Sequence, residues 1–442
     1  MRNKRFLVGL IGLMGLMGSL NAQNGFNMPF SQFGIGLSDL PYTMPLASRS
    51  GALLTRSASN YLNPFNPASY AGIQTESFVF DMGLNIQIST LRGGSEKMND
   101  ADGNLGYLAI GFPITKWWKM GAGLMPYSSV DYSSVSVQQG EGFGTMKTIY
   151  DGTGGVNQVF VGSAFNIPAG KRTRLQAGFN MNYLTGRIER AISYRFMGND
   201  STFYVNSRRY KRTNVSNVVF DFGVQAWQEI GNKTVLGLGV TYKPYMDLTV
   251  NDLALIYTYS TSDESLMDTI FPYIGGDAEF KSRLEQPRSI GVGLSLQYDK
   301  RWLLTADATF ASWAGMRYTE DTAHSIFGTS AISYSPTSRY AVGLERLGNM
   351  DASTYWGRIG WSVGAHKEQN VMTLTLGGVE HKLDSWGLGA GVSLPMRKGR
   401  SLLTISAGYS SIGDKDVLRR DCMTFGIAVS SCERWFTKRK YN

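Results

Sequence analysis

Residues 77–89 read Ser-Phe-Val-Phe-Asp-Met-Gly-Leu-Asn-Ile-Gln-Ile-Ser, and this stretch decides the fold class of the chain. Apolar side chains occupy every second position from Phe78 to Ile88, and the positions between them are mostly small or polar. Successive side chains of a β-strand point to opposite faces of a sheet, so the stretch predicts a strand with one apolar face. That face would be the core of a soluble sandwich or the lipid-facing surface of a membrane barrel, and alternation alone leaves both open.

The start of the chain favours the membrane barrel. Arg2, Lys4 and Arg5 precede an apolar run at residues 6–17, and Ala22 offers a cleavage point before Gln23. This pattern is typical of a secretory signal peptide. The alternative, a membrane anchor, needs about 20 apolar residues, and the run is shorter. We therefore predict a signal peptide at residues 1–22, export through the Sec pathway and residence in the outer membrane of a Gram-negative cell.

The same alternation recurs along the rest of the chain. Bacterial outer-membrane barrels have an even number of antiparallel strands, short periplasmic turns and longer outer loops. Links after the even-numbered runs are mostly short and several of those after the odd-numbered runs are long, which places both termini in the periplasm. We therefore predict an all-β fold, a barrel of about 14 antiparallel transmembrane strands at residues 76–442. The runs lie near 77–91, 105–114, 119–132, 155–167, 172–189, 213–228, 233–259, 287–298, 301–313, 338–347, 354–364, 384–395, 401–411 and 421–432.

Composition and charge agree with an exported barrel. Charged residues make up 17% of the chain against a usual value of about 25%, and 52 glycines suit many strands and tight turns. The formal charge of +9 is spread along the chain, so no nucleic-acid partner is predicted. Several tryptophans lie beside the short turns, as in an interfacial girdle, although core packing in a soluble β protein is the alternative. They are Trp117, Trp118, Trp227, Trp302 and Trp435.

No pattern of catalytic or metal-binding residues stands out. The three histidines have no metal-ligand spacing, and no Ser/His/Asp or paired-acid arrangement appears. Cys422 and Cys432 bracket one predicted strand, which would hold them about 33 Å apart, too far for a disulfide. We therefore predict no enzyme activity, no metal and no cofactor.

Several short motifs resemble the long-chain fatty acid channel (FadL-type) family of outer-membrane transporters. Asn66-Pro67-Ala68 is similar to the Asn-Pro-Ala signature of that family, and residues 287–293, followed by Trp302, Asp307 and Trp313, resemble its pattern across two adjacent strands. The ending at residues 434–441 resembles a subgroup common in Bacteroidetes. The resemblance implies a fourteen-stranded barrel whose lumen is closed by an N-terminal plug, and passive uptake of hydrophobic small molecules such as long-chain fatty acids.

The plug would comprise residues 23–75, and its candidate site residues are Asn63, Pro64, Asn66, Pro67 and Ala68. Prolines in this segment prevent long regular elements, and its aromatic and leucine content exceeds that of a solvated tail. A disordered periplasmic tail is the alternative.

The resemblance also implies a sideways exit at a kink in the third strand. Pro126 lies inside the third run, where proline cannot donate to the strand ladder, so Pro126, Tyr127 and Ser128 are the predicted lateral opening. A simple bend near the membrane edge is the alternative. A network of polar residues is predicted to face the lumen, because charges facing lipid are costly. It comprises Asp81, Asp221, Asp307, Glu345 and Arg358, with Arg358 and Arg187 as candidates for a ligand carboxylate.

Two functions remain open from the sequence. The first is the channel, with outer-membrane lipid and a hydrophobic small molecule as partners. The second is a barrel that does not transport but serves as a subunit or scaffold of an outer-membrane secretion or assembly complex, which would bind other outer-membrane or periplasmic proteins. The basic residues that follow Phe436 suit the second function, because they are available to contact a periplasmic partner.

Overall fold

The computed structural model describes residues 29–32, 35–36, 48, 51–93, 96–140, 144–197, 205–259, 266–270, 279–312, 318–319, 332–333, 336–376, 379–396, 401–414 and 418–434. The predicted signal peptide and Trp435 lie outside these residues. No helix among the described residues is long and apolar enough to cross a membrane.

Fourteen antiparallel strands form one closed barrel in the described part of the chain, which confirms the predicted fold class. Each strand pairs with its neighbours in the sequence, and β1 pairs with β14 from Ser77 opposite Arg434 to Arg92 opposite Arg419. The first six strands are β1 Ser77–Gly93, β2 Glu96–Pro113, β3 Trp118–Gly140, β4 Gly144–Pro168, β5 Thr173–Met197 and β6 Asn206–Ile230.

Four of the remaining strands are interrupted and consist of consecutive segments. These are β7 (Thr234–Lys243, Met246–Tyr259), β8 (Leu266–Ile270, Glu279–Gln286, Ser289–Tyr298), β9 (Trp302–Ala311, Tyr318–Thr319) and β10 (Ile332–Ser333, Thr337–Arg346). The last four are β11 Gly360–Leu376, β12 Val379–Met396, β13 Ser401–Asp414 and β14 Leu418–Arg434. Short helical turns occur at Pro29–Gln32, Pro67–Gly72 and Tyr355–Arg358.

The alternation of the sequence separates the two faces of the wall. In β6, Phe220, Phe222 and Val224 are exposed on the outer face, whereas Asp221 and Gln225 are buried on the inner face. β1 behaves in the same way, with Leu84, Ile86 and Ile88 outside and Asp81 inside. The outer face of these strands is therefore apolar, and their polar side chains point to the inner face.

β3 to β6 are the longest uninterrupted strands among the described residues, and together they form what we call the tall wall. β3 to β6 contain 23 to 25 residues each, and the main segments of β9 and β10 contain 10 each. At about 3.3 Å per residue these lengths correspond to about 80 Å and about 33 Å. A spanning strand needs only about 9–11 residues, so β3 to β6 extend well beyond a membrane on the side of the long loops.

Two apolar clusters fill the interior at different heights. The lower cluster, nearer the short turns, joins Leu62, Tyr70, Ala71 and Ile73 to the inner faces of β1 to β4 and β14. The upper cluster joins inward side chains of the tall wall, including Val130, Val156, Leu184 and Val215, and Ile35 and Tyr127 pack against it. The interior therefore contains side chains of residues that precede the first strand.

Candidate functional site

Residues 51–73, here called the inner segment, are bound to the inner face of the barrel by hydrogen bonds. One carboxylate oxygen of Asp307 in β9 accepts from the backbone N–H groups of Leu53 and Leu54, the latter at 2.7 Å. The Leu54 carbonyl in turn accepts from the side-chain amides of Gln225 in β6 and Asn66, both at 2.7 Å. Strands from two different parts of the wall thus hold the same turn of the inner segment.

Two asparagines shape the inner segment. Asn63 donates to the carbonyl oxygens of Leu53 and Arg56 at 2.8 and 2.9 Å. Asn66 caps the helical turn Pro67–Gly72, because its side-chain oxygen accepts from the Ala68 N–H. The fixed backbone angle of Pro67 suits the first position of this turn. All five candidate plug residues lie in this buried part of the chain.

The inner segment also packs closely against β5. Asn180 in β5 donates to the Pro64 carbonyl at 3.1 Å and accepts from the Tyr70 hydroxyl at 3.1 Å. A Cβ atom on Gly178 would lie 2.7 Å from the backbone of Pro67 and Ala68. Only glycine permits this approach between the inner segment and β5.

Ion pairs add to these contacts on the opposite wall. Arg56 lies 3.3 Å from Glu345 in β10, and both side chains are largely buried. Arg339 in the same strand donates to the Gly51 carbonyl at 3.4 Å and lies 3.9 Å from Glu368 in β11. Among the predicted lumen residues, Asp307 and Glu345 therefore contact the inner segment directly. Arg56 and Arg339 were not predicted, because nothing in the sequence pairs them with these partners.

A polar belt crosses the interior between the two apolar clusters. Gln158 donates to Asn182 at 2.9 Å, and Asn182 donates to Asp221 at 2.9 Å. Lys243 lies 3.7 Å from Asp221, and its side chain is 41% exposed. Asp81 lies lower, where it accepts hydrogen bonds from Tyr107 and Ser430 at 2.7 Å each.

The barrel wall is incomplete between β2 and β3. These strands pair only from Leu108 opposite Leu124 to Pro113 opposite Lys119. Both strands lose their register where the ladder ends, since Gly106 has no partner in β1 and Tyr127 has none in β4. Above this point the facing edges of β2 and β3 are not paired to each other, and we call this gap the seam. Pro126, Tyr127 and Ser128 lie at its lower end.

Residues that precede the inner segment lie along the β3 side of the seam. The Ser128 hydroxyl donates to the Ile35 carbonyl at 2.7 Å. The Ser31 hydroxyl accepts from the Asp131 backbone N–H at 3.1 Å and donates to its carbonyl at 3.2 Å. The Ser31 side chain thus pairs with the backbone N–H and carbonyl groups of Asp131, which a neighbouring strand would otherwise pair with.

Asp131 lies opposite Thr153 of β4, beyond the first 9–11 residues of β3, which are all that a spanning strand needs. Burial, followed by the nearby charges of Asp100 and Asp102, raises the pKa of Asp131 to about 6. Repulsion from these like charges disfavours the ionised form of the Asp131 carboxyl group.

Two predicted residues lie elsewhere. Arg187 has the same parity in β5 as the outward Met181 and Tyr183, and its side chain is 55% exposed beside Glu189. Arg358 is not on a strand, because Thr354 caps a helical turn at Tyr355–Arg358 and β11 begins only at Gly360. The placement of Arg358 on the polar face of a strand at 354–364 was therefore wrong, and within the described residues neither arginine has a hydrogen bond or ion pair recorded with Asp81, Asp221, Asp307 or Glu345. Among the described residues no cluster of potential metal ligands occurs.

Comparison with solved structures agrees with this architecture. The chain is similar to the CymD monoaromatic hydrocarbon channel, with 12% identity, a TM-score of 0.52 and coverage of 90% of this chain and 99% of that chain. The toluene transporter TodX of Pseudomonas putida gives 15% identity, a TM-score of 0.52 and coverage of 87% and 97%. A FadL homologue of Pseudomonas aeruginosa gives 13% identity, a TM-score of 0.52 and coverage of 89% of this chain and 98% of that chain. At these identities the likeness shows the fold, which is that of FadL-type barrels.

A search of curated proteins found no match. A protein-family model described as BamG matches residues 3–442. Because that match extends over nearly the whole sequence, the chain belongs to the BamG family.

Proposed function

We propose that this protein is an outer-membrane barrel for the passive uptake of hydrophobic small molecules, such as long-chain fatty acids, with a sideways exit through the seam. One observation carries the proposal: the β2–β3 ladder ends at Leu108 and Leu124, directly below the irregularities at Gly106 and Tyr127. Unpaired backbone N–H and C=O groups are costly in a membrane, so a barrel that needs no lateral opening would be more stable with this ladder complete.

The contacts of the inner segment support its role as a fixed plug. Hydrogen bonds or ion pairs reach it from β5, β6, β9 and β10. Opening a vertical path would break most of them together, and each buried donor left without a partner costs about 1–3 kcal/mol. A lateral route at the seam leaves these contacts in place.

The surroundings of the seam suit an amphiphile. Tyr127 packs against the apolar upper cluster, which would contact an acyl chain. Lys243 faces the interior from β7 and keeps a partly exposed side chain beside Asp221. We assign Lys243, rather than Arg187 or Arg358, as the cation that faces a ligand carboxylate. Passage would require Ser31 and Ile35 to leave the edge of β3.

The channels named in the structural comparison are described as carrying toluene and monoaromatic hydrocarbons, so the test uses both ligand classes. Cells that lack or express the protein are supplied with labelled oleate or labelled toluene, and initial uptake is measured. A double variant, Ser31→Cys with Asp131→Cys, is crosslinked with a short thiol-specific reagent to hold the N-terminal segment on β3. We expect crosslinking to abolish the uptake gained by expression and each single variant to retain it. Uptake that survives complete crosslinking contradicts exit through the seam.

A second function is favoured by the height of β3 to β6. A wall about 80 Å tall exceeds what spanning requires and gives the barrel a large surface above the membrane. This suits the scaffold of a secretion or assembly complex. Affinity capture from native membranes, together with mass analysis of lipids held by the purified protein, separates the two functions. Enriched acyl ligands support the channel, and a stable set of protein partners without such ligands supports the scaffold.

The same processing and orientation in the membrane are expected for either function. We propose that residues 1–22 are a signal peptide removed after Sec export, that residues 23–75 form the plug, and that the short turns face the periplasm. Mass analysis of the mature protein tests the cleavage, and protease treatment of intact cells tests the orientation.

A further inference from the structure

Arg346 occupies an unusual position at the short-turn end of the barrel. Tyr340 and Val342 of β10 are exposed on the outer face, and the alternation of the strand continues through Leu344 to Arg346. Glu345, between them, faces inward to Arg56. Arg346 is therefore a half-buried arginine on the outer face, at the border of the apolar band, and one of its guanidinium nitrogens donates to the Ile359 carbonyl at 3.4 Å.

Two tryptophans flank this arginine on the neighbouring strands. Arg346 is the register partner of Trp302 in β9 and of Trp361 in β11. The two indole rings meet edge to face with centroids 5.5 Å apart. Tryptophan rings prefer the headgroup level of a membrane, so this level of the wall coincides with lipid headgroups.

The turn that follows Arg346 adds further aromatic and basic side chains. Trp356 is 80% exposed, and the Arg358 guanidinium lies 5.6 Å from the centre of the Tyr355 ring. The Leu347 N–H donates to the Arg301 carbonyl at 2.7 Å, which joins this turn to the exposed turn that carries Lys300. A tryptophan this exposed to water forgoes the burial of a large apolar surface.

The basic residues of these two turns have few acidic partners. Lys300, Arg301, Arg346 and Arg358 form no ion pair among the residues that the structure describes. The acidic residues of the same turns are Asp299 and Asp351, so the patch keeps a positive net charge. We call this patch the basic rim.

We infer that the basic rim binds an anionic phospholipid of the periplasmic leaflet, with Arg346 contacting the lipid phosphate. Arginine presents a planar set of donors that matches a phosphate group, and clusters of basic residues attract anionic headgroups. Trp302, Trp361 and Trp356 would pack against the glycerol and upper acyl region. The outward direction of Arg346, next to the apolar band, favours a lipid over a soluble anion. This inference goes beyond the proposed function and rests on the proposed orientation, in which the short turns face the periplasm. It holds whether the barrel transports or serves as a scaffold.

The test measures lipid binding to the detergent-purified full chain by native mass spectrometry. Dioleoyl phosphatidylglycerol and dioleoyl phosphatidylcholine are titrated separately, and inorganic phosphate is added as a competitor. We expect phosphatidylglycerol to bind at least fivefold more tightly than phosphatidylcholine. Arg346→Gln should remove at least fivefold of the phosphatidylglycerol affinity, and Arg346→Lys should restore part of it.

Arg209→Gln is the matched control, because Arg209 also lies over an aromatic ring, Tyr194, but at the long-loop end of the wall. It should bind lipid like the natural protein. A heat-dependent shift on denaturing gels verifies that each variant folds.

Three outcomes overturn the inference. They are equal affinity for the two lipids in the natural protein, an Arg346→Gln variant with unchanged phosphatidylglycerol affinity, and complete displacement of the lipid by inorganic phosphate. In affinity capture from native membranes, a protein that copurifies with the natural barrel but not with Trp356→Ala would assign the basic rim to a protein partner instead.

Discussion

Asp307 is the residue whose removal we expect to loosen the inner segment most directly. Asp307→Ala leaves the N–H groups of Leu53 and Leu54 without their acceptor in a buried place. Each such donor costs about 1–3 kcal/mol, so for the two donors we expect the free energy of unfolding to fall by about 2–6 kcal/mol. Chemical denaturation in detergent measures this change. Asp351→Asn, on an exposed turn, should leave the denaturation midpoint unchanged, and an equal loss in both variants contradicts the role of Asp307.

Gly239 in β7 tests the close contact between the wall and the inner segment. A Cβ atom at this position would overlap with the Leu54 carbonyl oxygen, and overpacking of this kind costs about 1–3 kcal/mol. We expect Gly239→Ala to increase protease cleavage of the inner segment in the folded barrel. The control is Gly103→Ala, where the nearest atom outside the adjacent residues lies 3.8 Å away. Unchanged cleavage in Gly239→Ala would show that the inner segment is held elsewhere.

Asp131 should make the seam sensitive to pH. Its pKa of about 6 lies above the usual value of about 3.9, so the folded state binds more protons than the unfolded state between these values. The free energy of unfolding should therefore decrease as pH rises through this window and stay lower above it. Thermal unfolding between pH 4 and pH 7 measures this slope, and Asp131→Asn should reduce it. An identical slope in the variant contradicts the assignment.

At the scale of residues, strand parity placed the acidic residues of the site correctly, but the two predicted arginines, Arg187 and Arg358, were placed wrongly. Alternation placed Asp81, Asp221, Asp307 and Glu345 on the inner face, where the structure has them. The same rule, applied strictly, puts Arg187 outside with Met181, and the local capping by Thr354 takes Arg358 out of β11 altogether. Partners such as Arg56 and Glu345 are separated by 289 residues, and no local pattern records such a contact.

At the scale of elements, the seam predicts uneven protection of backbone amides. β5 is paired on both sides along most of its length, whereas β2 above Leu108 and β3 above Leu124 each have one edge without a strand partner. We expect amide hydrogen exchange to be faster in peptides from 96–106 and 129–140 than in peptides from 177–189. Mass spectrometry of exchanged peptides gives the comparison directly. Equal protection of the three regions would mean that the seam is paired in solution.

The number and order of the strands followed from the sequence, and their lengths did not. The fourteen predicted runs correspond to the fourteen strands because apolar alternation persists wherever the wall meets an apolar environment. Beyond that band, as in the first part of β6, Lys211 and Thr213 face inward to Asp252 and the alternation of apolar residues is lost. The runs therefore ended early in the tall wall, and the edge at which β2 leaves β3 has no sequence signal other than Pro126.

At the scale of the whole molecule, the apolar outer face predicts where the protein is recovered. Outward residues such as Phe220, Leu294 and Ile427 are exposed on every side of the barrel. We expect the mature protein to remain with the outer-membrane fraction and to enter solution only with detergent. Fractionation followed by immunoblotting measures this. Recovery as a monodisperse species in detergent-free buffer would exclude a membrane barrel.

The anchoring of the inner segment constrains the order in which the molecule is assembled. Leu53 meets Asp307 across 254 residues of sequence, and Arg56 meets Glu345 across 289. Contacts between such distant positions form slowly, because the intervening chain must be ordered first. The residues that leave the ribosome early can therefore reach their final places only when the ninth and tenth strands are present, so the inner segment docks during the last stage of maturation.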